Sequence, residues 1–151
     1  MKLDLKINNY DRSFDIEPGD TLADVLRKNG FTSVRKGCDT GSCGTCTILI
    51  DGEPIASCSY LAVRAEGHSI TTIEGVQEEA TKIAEFLNGE GATQCGYCSP
   101  GLVLNVIAMK EHLENPSEEE IKHYLVGNLC RCTGYFGQLR AIKKYLQEVI
   151  I

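Results

Sequence analysis

Eight cysteines constrain this chain more than any other feature of its 151 residues. They fall into two sets of four with none left over. The first is Cys38, Cys43, Cys46 and Cys58, a C-x4-C-x2-C loop followed by a more distant cysteine. The second is Cys95, Cys98, Cys130 and Cys132, a C-x2-C and a C-x-C separated by 31 residues. Both spacings are those of thiolates gathered around metal rather than of a disulfide framework.

A chain of this size makes one ordinary domain or two small ones, each burying only a modest core, and bound metal would help to hold such units together. The formal charge of -6 and the lack of a Lys/Arg-rich stretch argue against nucleic acid or an anionic membrane as partner, since both require clustered positive charge. A protein partner is expected. Met1-Lys2-Leu3-Asp4-Leu5-Lys6-Ile7 alternates charged and apolar residues, unlike a secretory signal. The longest apolar stretch, Leu102 to Met109, is interrupted by Asn105 and is too short to span a bilayer. A cytoplasmic location follows as the expectation, and there thiols stay reduced and serve as ligands.

The first half reads as β-rich. Leu3, Leu5 and Ile7 share one face of a strand, Asn8-Asn9 offers a turn, and Phe14 and Ile16 lie on a returning strand. Leu22, Val25 and Leu26 have helical spacing, stopped by Asn29-Gly30. Asp51-Gly52 joins strands expected at Thr47–Ile50 and Ile55–Ser57, and Ser69–Ile73 reads as one more strand. This is a β-grasp pattern with the cysteine loop between helix and hairpin. From Glu74 onward helix formers dominate. Helices are expected over Glu78–Leu87, after an N-cap Ser99 with Pro100 at the first helical position, after the capping box Ser117-Glu118-Glu119-Glu120, and over Gly137–Val149 with Leu139, Ile142, Leu146 and Val149 on one face. The fold class expected is α+β, a β-grasp 2Fe-2S ferredoxin-like domain at 1–76 followed by a four-helix-bundle 2Fe-2S domain at 77–151. No linker separates the halves, so they are expected to pack directly, with the second set of cysteines at helix ends where free N–H groups favour thiolate charge.

C-x4-C-x2-C followed by a distant cysteine is the plant-type 2Fe-2S spacing. Gly37, Gly41 and Gly44 allow the backbone to wrap so that thiolates converge and amides face the sulfides, while Thr40 and Ser42 are small enough to fit that wrap. The competing reading is structural zinc, which favours paired C-x2-C knuckles and so fits this loop less well. The second set is less specific, and its spacing alone leaves a zinc ribbon open.

Lys36-Gly37-Cys38 through Thr47, Ser57-Cys58, Thr72-Ile73-Glu74-Gly75, Gln94-Cys95-Gly96-Tyr97-Cys98-Ser99-Pro100-Gly101 and Gly127-Asn128-Leu129-Cys130-Arg131-Cys132-Thr133-Gly134-Tyr135 together resemble the iron-sulfur subunit of the molybdenum hydroxylases. This is the family of xanthine dehydrogenase and aldehyde oxidoreductase, with carbon monoxide dehydrogenase, nicotinate dehydrogenase and 4-hydroxybenzoyl-CoA reductase as relatives. The likeness covers essentially the whole chain. It implies two 2Fe-2S clusters that conduct electrons between a large molybdenum-pterin subunit, which hydroxylates the substrate, and a middle subunit that binds FAD. It further implies that Cys95, Cys98, Cys130 and Cys132 hold the molybdenum-proximal cluster and Cys38, Cys43, Cys46 and Cys58 the flavin-proximal one. Gln94 and Cys132 are then placed against the pterin; apart from the resemblance, Gln94 is an ordinary solvated polar residue. The chain has neither a nucleotide-binding glycine motif nor an acid-base or nucleophile constellation, so no turnover is expected from it alone. A xanthine or purine dehydrogenase-type complex is the leading reading, with aldehyde, carbon monoxide, nicotinate and aromatic acyl-CoA oxidoreductases as alternatives. A free-standing ferredoxin-like carrier is a further alternative, and so is a zinc-stabilised interaction module. The Met1 start and the end straight after the last helix fit a separately encoded small subunit.

Arg131 either tunes its cluster electrostatically or makes an interface ion pair. Tyr97 and Tyr135 either exclude water from the second cluster or fill the core. His68, His112 and His123 are expected at the surface, and Glu118 to Glu120 on a solvated helix start. Gln138 stands where the family commonly has an apolar residue, which puts the local packing of the last helix in question.

Overall fold

The computed structural model describes residues 1–149; Ile150, Ile151 and the side chain of Val149 lie outside the described residues, and with them the expected apolar placement of Val149. β1 (Lys2–Ile7) buries Leu3, Leu5 and Ile7 and exposes the residues between, the alternation of a half-buried strand. It turns through Asn8 and Asn9, at φ 50° and 69°, into β2 (Tyr10–Asp15). Two positive φ values in a two-residue loop match the twist of the flanking strands, and asparagine tolerates them. Thr21 caps α1 (Leu22–Lys28), its hydroxyl accepting from the Asp24 N–H. β3 (Thr47–Ile50) and β4 (Glu53–Ala56) pair around Asp51-Gly52, at φ 52° and 89°. β5 (Ser69–Thr71) runs parallel to β1 and antiparallel to β3, so the sheet order is β2-β1-β5-β3-β4. Leu22, Val25 and Leu26 of α1 share one core with Leu5, Ile48 and Ile70 of the sheet.

Two strand ends depart from expectation. β4 begins at Glu53 and stops at Ala56, because Ser57 enters a 3-10 turn and donates its hydroxyl to the Cys46 carbonyl at 2.6 Å. β5 stops at Thr71 because Thr72 leaves the ladder to be clamped by Asn8, which accepts from its N–H and donates to its hydroxyl, each at 2.9 Å.

The remaining helices are α2 (Gln77–Gly89), α3 (Ser99–His112), α4 (Glu118–Tyr124) and α5 (Phe136–Val149). They bury Leu87, Val106, Met109, Ile121, Ile142 and Tyr145 in a second core. Ser117 forms the expected capping box with Glu120. The start of α3 differs from expectation: Ser99 is its first helical residue and Pro100 its second. Cys98 is the N-cap, since its carbonyl accepts the first helical bond, from Leu102 at 3.1 Å. α3 is apolar nearly all round because it is covered twice. One side faces the bundle; Leu104 and Ala108 pack on Leu49 of the sheet. At this seam a Cβ on Gly101 would lie 2.3 Å from the Gly44 carbonyl oxygen, so the two backbones meet only through glycine. Among the described residues no helix is long and apolar enough to cross a membrane.

Candidate metal centres

The loop from Cys38 to Cys46 is held open toward its own amides. Gly41 and Gly44 both sit at φ 72°, a conformation that costs other residues about 1–2 kcal/mol. The N–H groups of Cys43, Thr40 and Ser42, with the Cys43 thiol, favour the thiolate of Cys38 and bring its thiol down to about 6. Cys46 lies at the other extreme: burial pushes it up to about 11. Its partner is Cys58, delivered by the turn that Ser57 pins to the Cys46 carbonyl. Thr45 Oγ1 stands 3.2 Å from Cys43 Sγ. Thr40 and Ser42 do lie in the wrap, exposed, with their hydroxyls 2.8 Å apart.

The second set is assembled from two distant segments, the turn before α3 and the loop between α4 and α5. Only Cys98 sits at a helix end; Cys95, Cys130 and Cys132 are in loops, because each segment is still turning when its cysteine is placed. Cys95 accepts from the Tyr97 N–H at 3.5 Å and lies 3.5 Å, sulfur to sulfur, from Cys132. The first of these contacts lowers the Cys95 thiol, while the thiol of Cys95 raises that of Cys132. Burial acts to raise Cys130 but is outweighed by the Thr133 hydroxyl at 3.2 Å and the N–H groups of Cys132 and Thr133, so its thiol is lowered. Cys98 is pushed up to about 11 by burial and is paired with Cys130.

The eight thiols therefore meet in twos: Cys38 with Cys43, Cys46 with Cys58, Cys95 with Cys132, and Cys98 with Cys130. Within each set one thiol also feels a member of the other pair, Cys46 the charge of Cys43 and Cys95 that of Cys130. Among the described residues no three His, Cys, Asp or Glu donors close around one ion. A structural zinc site needs four donors about one point. Two thiols for each of two irons is what a 2Fe-2S cluster asks, so the donor sets fit that group.

The two sets abut. A cavity of about 490 Å³ is lined by Cys95, Cys98, Cys130 and Cys132, and also by Cys43 and Thr45 of the first loop. The Leu129 N–H donates to the Cys43 carbonyl at 2.9 Å, joining a residue of one set to the neighbour of Cys130 in the other. Arg35 donates to the Gly96 carbonyl and lies 5.1 Å over the Tyr97 ring. The halves are thus tied at the level of the cysteine loops.

Tyr97 and Tyr135 are not core residues; both are nearly half exposed. The Tyr97 hydroxyl donates to the Lys36 carbonyl at 2.9 Å, and that of Tyr135 accepts from the Cys130 N–H at 3.0 Å, so they brace the cysteine segments from outside. Gln94 is exposed immediately before Cys95. Arg131 is exposed at the cavity between the two cysteine sets and makes no ion pair among the described residues. All three histidines reach the surface; His68 pairs with Asp51, and His112 reaches Tyr124 at 2.8 Å and Glu53 at 3.3 Å. Thr45, Thr133 and Arg35 escaped sequence reasoning. All three carry one cue, a position within three residues of a cysteine of the two sets.

The family described as 2Fe-2S iron-sulfur cluster binding domain matches residues 5–71, and that described as 2Fe-2S binding domain matches residues 72–143. The chain is 40% identical to the nicotinate dehydrogenase small FeS subunit of Eubacterium barkeri over 98% of its own length and 96% of that protein's. It is 42% identical to the xanthine dehydrogenase iron-sulfur-binding subunit of Escherichia coli O157:H7, covering 89% and 87%. Among solved structures it resembles quinoline 2-oxidoreductase from Pseudomonas putida 86 with a TM-score of 0.91 and 40% identity, over 99% of this chain and 95% of that one. With two cluster-binding domains matched and the likeness running from end to end, the chain belongs to the iron-sulfur subunits of the molybdenum hydroxylase family.

Proposed function

We propose that this chain is the electron wire of a three-part oxidoreductase, carrying electrons from a large molybdenum-pterin subunit through two 2Fe-2S clusters to an FAD subunit. The observation that carries the reading is the shared wall between the cysteine sets, where the Cys43 carbonyl accepts from Leu129 beside Cys130. Electron tunnelling falls steeply with distance, and abutting ligand loops keep that distance short. Oxidation of an organic substrate releases two electrons, whereas each cluster passes one at a time, so two clusters in series suit the task.

In this reading Cys38, Cys43, Cys46 and Cys58 ligate the flavin-proximal cluster and Cys95, Cys98, Cys130 and Cys132 the molybdenum-proximal one. Cys95 and Cys132 are exposed, and Leu129, Tyr135 and Phe136 beside them present apolar surface to solvent. An exposed apolar patch of this kind suits a protein partner. Gln94 and Cys132 then hydrogen-bond the pterin. The units are residues 1–76 and 77–151, and the complex works in the cytoplasm. The partner's substrate is a nitrogen heterocycle, with a xanthine-type purine as the specific expectation; the relatives named for nicotinate, xanthine and quinoline share that chemical class.

The test uses the complex purified with its natural subunits. It should hold about four iron and four acid-labile sulfide per copy of this chain, as eight thiolates allow. Cys98→Ser should remove or alter one paramagnetic centre and cut acceptor reduction by at least about tenfold. Substrate binding by the large subunit should persist. Stoichiometric zinc with little sulfide, or turnover of a purine by the isolated chain, would overturn the reading.

A further inference from the structure

α5 opens at Phe136, and its third residue, Gln138, is 5% exposed. It lines a cavity of about 280 Å³ whose other walls include Leu102, Ile121, Leu125 and Leu139. A carboxamide in so apolar a wall costs about 1–3 kcal/mol unless it finds a partner. Among the described residues the one hydrogen bond of its side chain runs from Nε2 to Cys98 Sγ at 3.9 Å, a long contact of the kind sulfur accepts. The amide nitrogen thus finds its partner in sulfur.

The other ligands of the second set draw their donors from their own segments: Cys95 from the Tyr97 N–H, and Cys130 from Thr133 and the N–H groups that follow it. Cys98, at the N-cap of α3, has only its own N–H nearby, and the donor that reaches it from elsewhere is the amide of Gln138, 40 residues along the chain. A donor aimed at a ligand sulfur favours the form with more negative charge, which is the reduced cluster.

We propose that Gln138 is a positioning residue for electron transfer, raising the reduction potential of the second cluster through its hydrogen bond to Cys98 Sγ. This rests on the reading that Cys98 ligates that cluster. Raising that potential shifts the partition of a single electron between the two centres toward the second cluster, relative to a protein without this bond.

The experiment is a redox titration of the purified complex followed by electron paramagnetic resonance, on the native protein and on Gln138→Leu, Gln138→Glu and Cys98→Ser. Cys98→Ser identifies the signal of the second cluster by changing it; if neither signal changes, the ligand assignment fails, and the proposal with it. Given that assignment, both Gln138 variants should lower the midpoint of that signal and leave the other in place. The shift expected is about tenfold in the electron-sharing equilibrium, or about 59 mV for a one-electron couple. Gln138→Glu keeps the shape of the side chain, so a lowered potential there cannot be laid to a cavity. Unchanged midpoints in both variants at full iron content overturn this proposal while leaving the ligand assignment intact. Loss of the second cluster from both variants also overturns it, because it makes Gln138 a residue of cluster assembly.

Discussion

The two cysteine sets reach the same arrangement, thiols in twos, by opposite routes. The first is local: three of its four cysteines lie within nine residues of one loop, and the fourth is fastened to that loop by Ser57. Its Cys43 and Cys46 are both buried, Cys46 within the β core. The second exists only once the helices have packed, because Cys95 and Cys98 meet Cys130 and Cys132 across the bundle and leave Cys95 and Cys132 exposed. A local loop can organise its ligands largely from its own amides. A site built from two distant segments inherits its precision from the bundle, and its outward face is free for a partner.

The strongest way to break that comparison is to disturb the seam where the two sites touch. A Cβ on Gly44 would meet the Gly127 carbonyl oxygen at 2.2 Å, and the residue sits at φ 72°. Overpacking against backbone and left-handed strain each cost about 1–3 kcal/mol, so Gly44→Ala should destabilise the protein by about 3 kcal/mol or more. It should also perturb both paramagnetic signals, since Gly44 lies between Cys43 and Cys46 and Gly127 leads to Cys130. Gly89→Ala is the control: nothing stands within 4 Å of its Cβ, and it lies at the end of α2. That substitution should be neutral or stabilising by up to about 1 kcal/mol. Should Gly44→Ala disturb only the first signal in guanidinium unfolding and redox measurements, the sites are independent and the seam is not a coupling.

The same contrast explains what could be read in the sequence. The alternation of β1, the turns at Asn8-Asn9 and Asp51-Gly52 and the capping box at Ser117 are all encoded within a few residues, and the structure shows each of them. The misreadings have distant causes. β5 ends early because Thr72 is clamped by a residue 64 positions away. α3 starts one residue earlier than its serine suggested, because the turn from Gly96 has already curled the chain at Cys98. Tyr97 and Tyr135 look like core aromatics beside their cysteines, yet the second site opens outward and leaves them at its rim. Gln138 stood out as polar in an apolar position, but the sulfur that satisfies it is visible only in three dimensions.

A second prediction sharpens the contrast by acid. Glu79 on α2 accepts from Lys110 of α3 at 2.8 Å and from the hydroxyl of Tyr145 of α5, which is buried in the helical core. The Lys110 ammonium, then the Tyr145 hydroxyl, hold its carboxyl below the usual range. A carboxylate lowered by folding stabilises fully above its unfolded value, about 4.3, and that stabilisation is lost as pH falls through the folded value. Glu79→Gln should therefore cost about 1–2 kcal/mol at pH 7, a gap constant down to about pH 5 and closing below about pH 4.3. Guanidinium unfolding followed by far-ultraviolet circular dichroism on both proteins across that range is the check. A gap that persisted unchanged at pH 3 would mean that Glu79 acts by packing rather than by charge.

The smallest expected effects come from two helix caps of the same chemistry in different halves. Thr21 caps α1, which lies inside the β core, and Ser117 caps α4, which carries the loop toward Cys130. Replacing either hydroxyl by alanine should cost about 1 kcal/mol, because one N–H of the first turn loses its acceptor. The use of the pair lies in where that loss appears. If glycine contact at the seam, the Leu129–Cys43 bond and the cover of α3 by β3 make one cooperative unit, Thr21→Ala and Ser117→Ala should lower a single transition equally. That holds whether it is followed by circular dichroism or by the visible absorption of the clusters. If each variant instead lowers only the signal of its own half, the second site draws its order from the bundle alone. Docking between the halves would then add proximity for electrons but no stability.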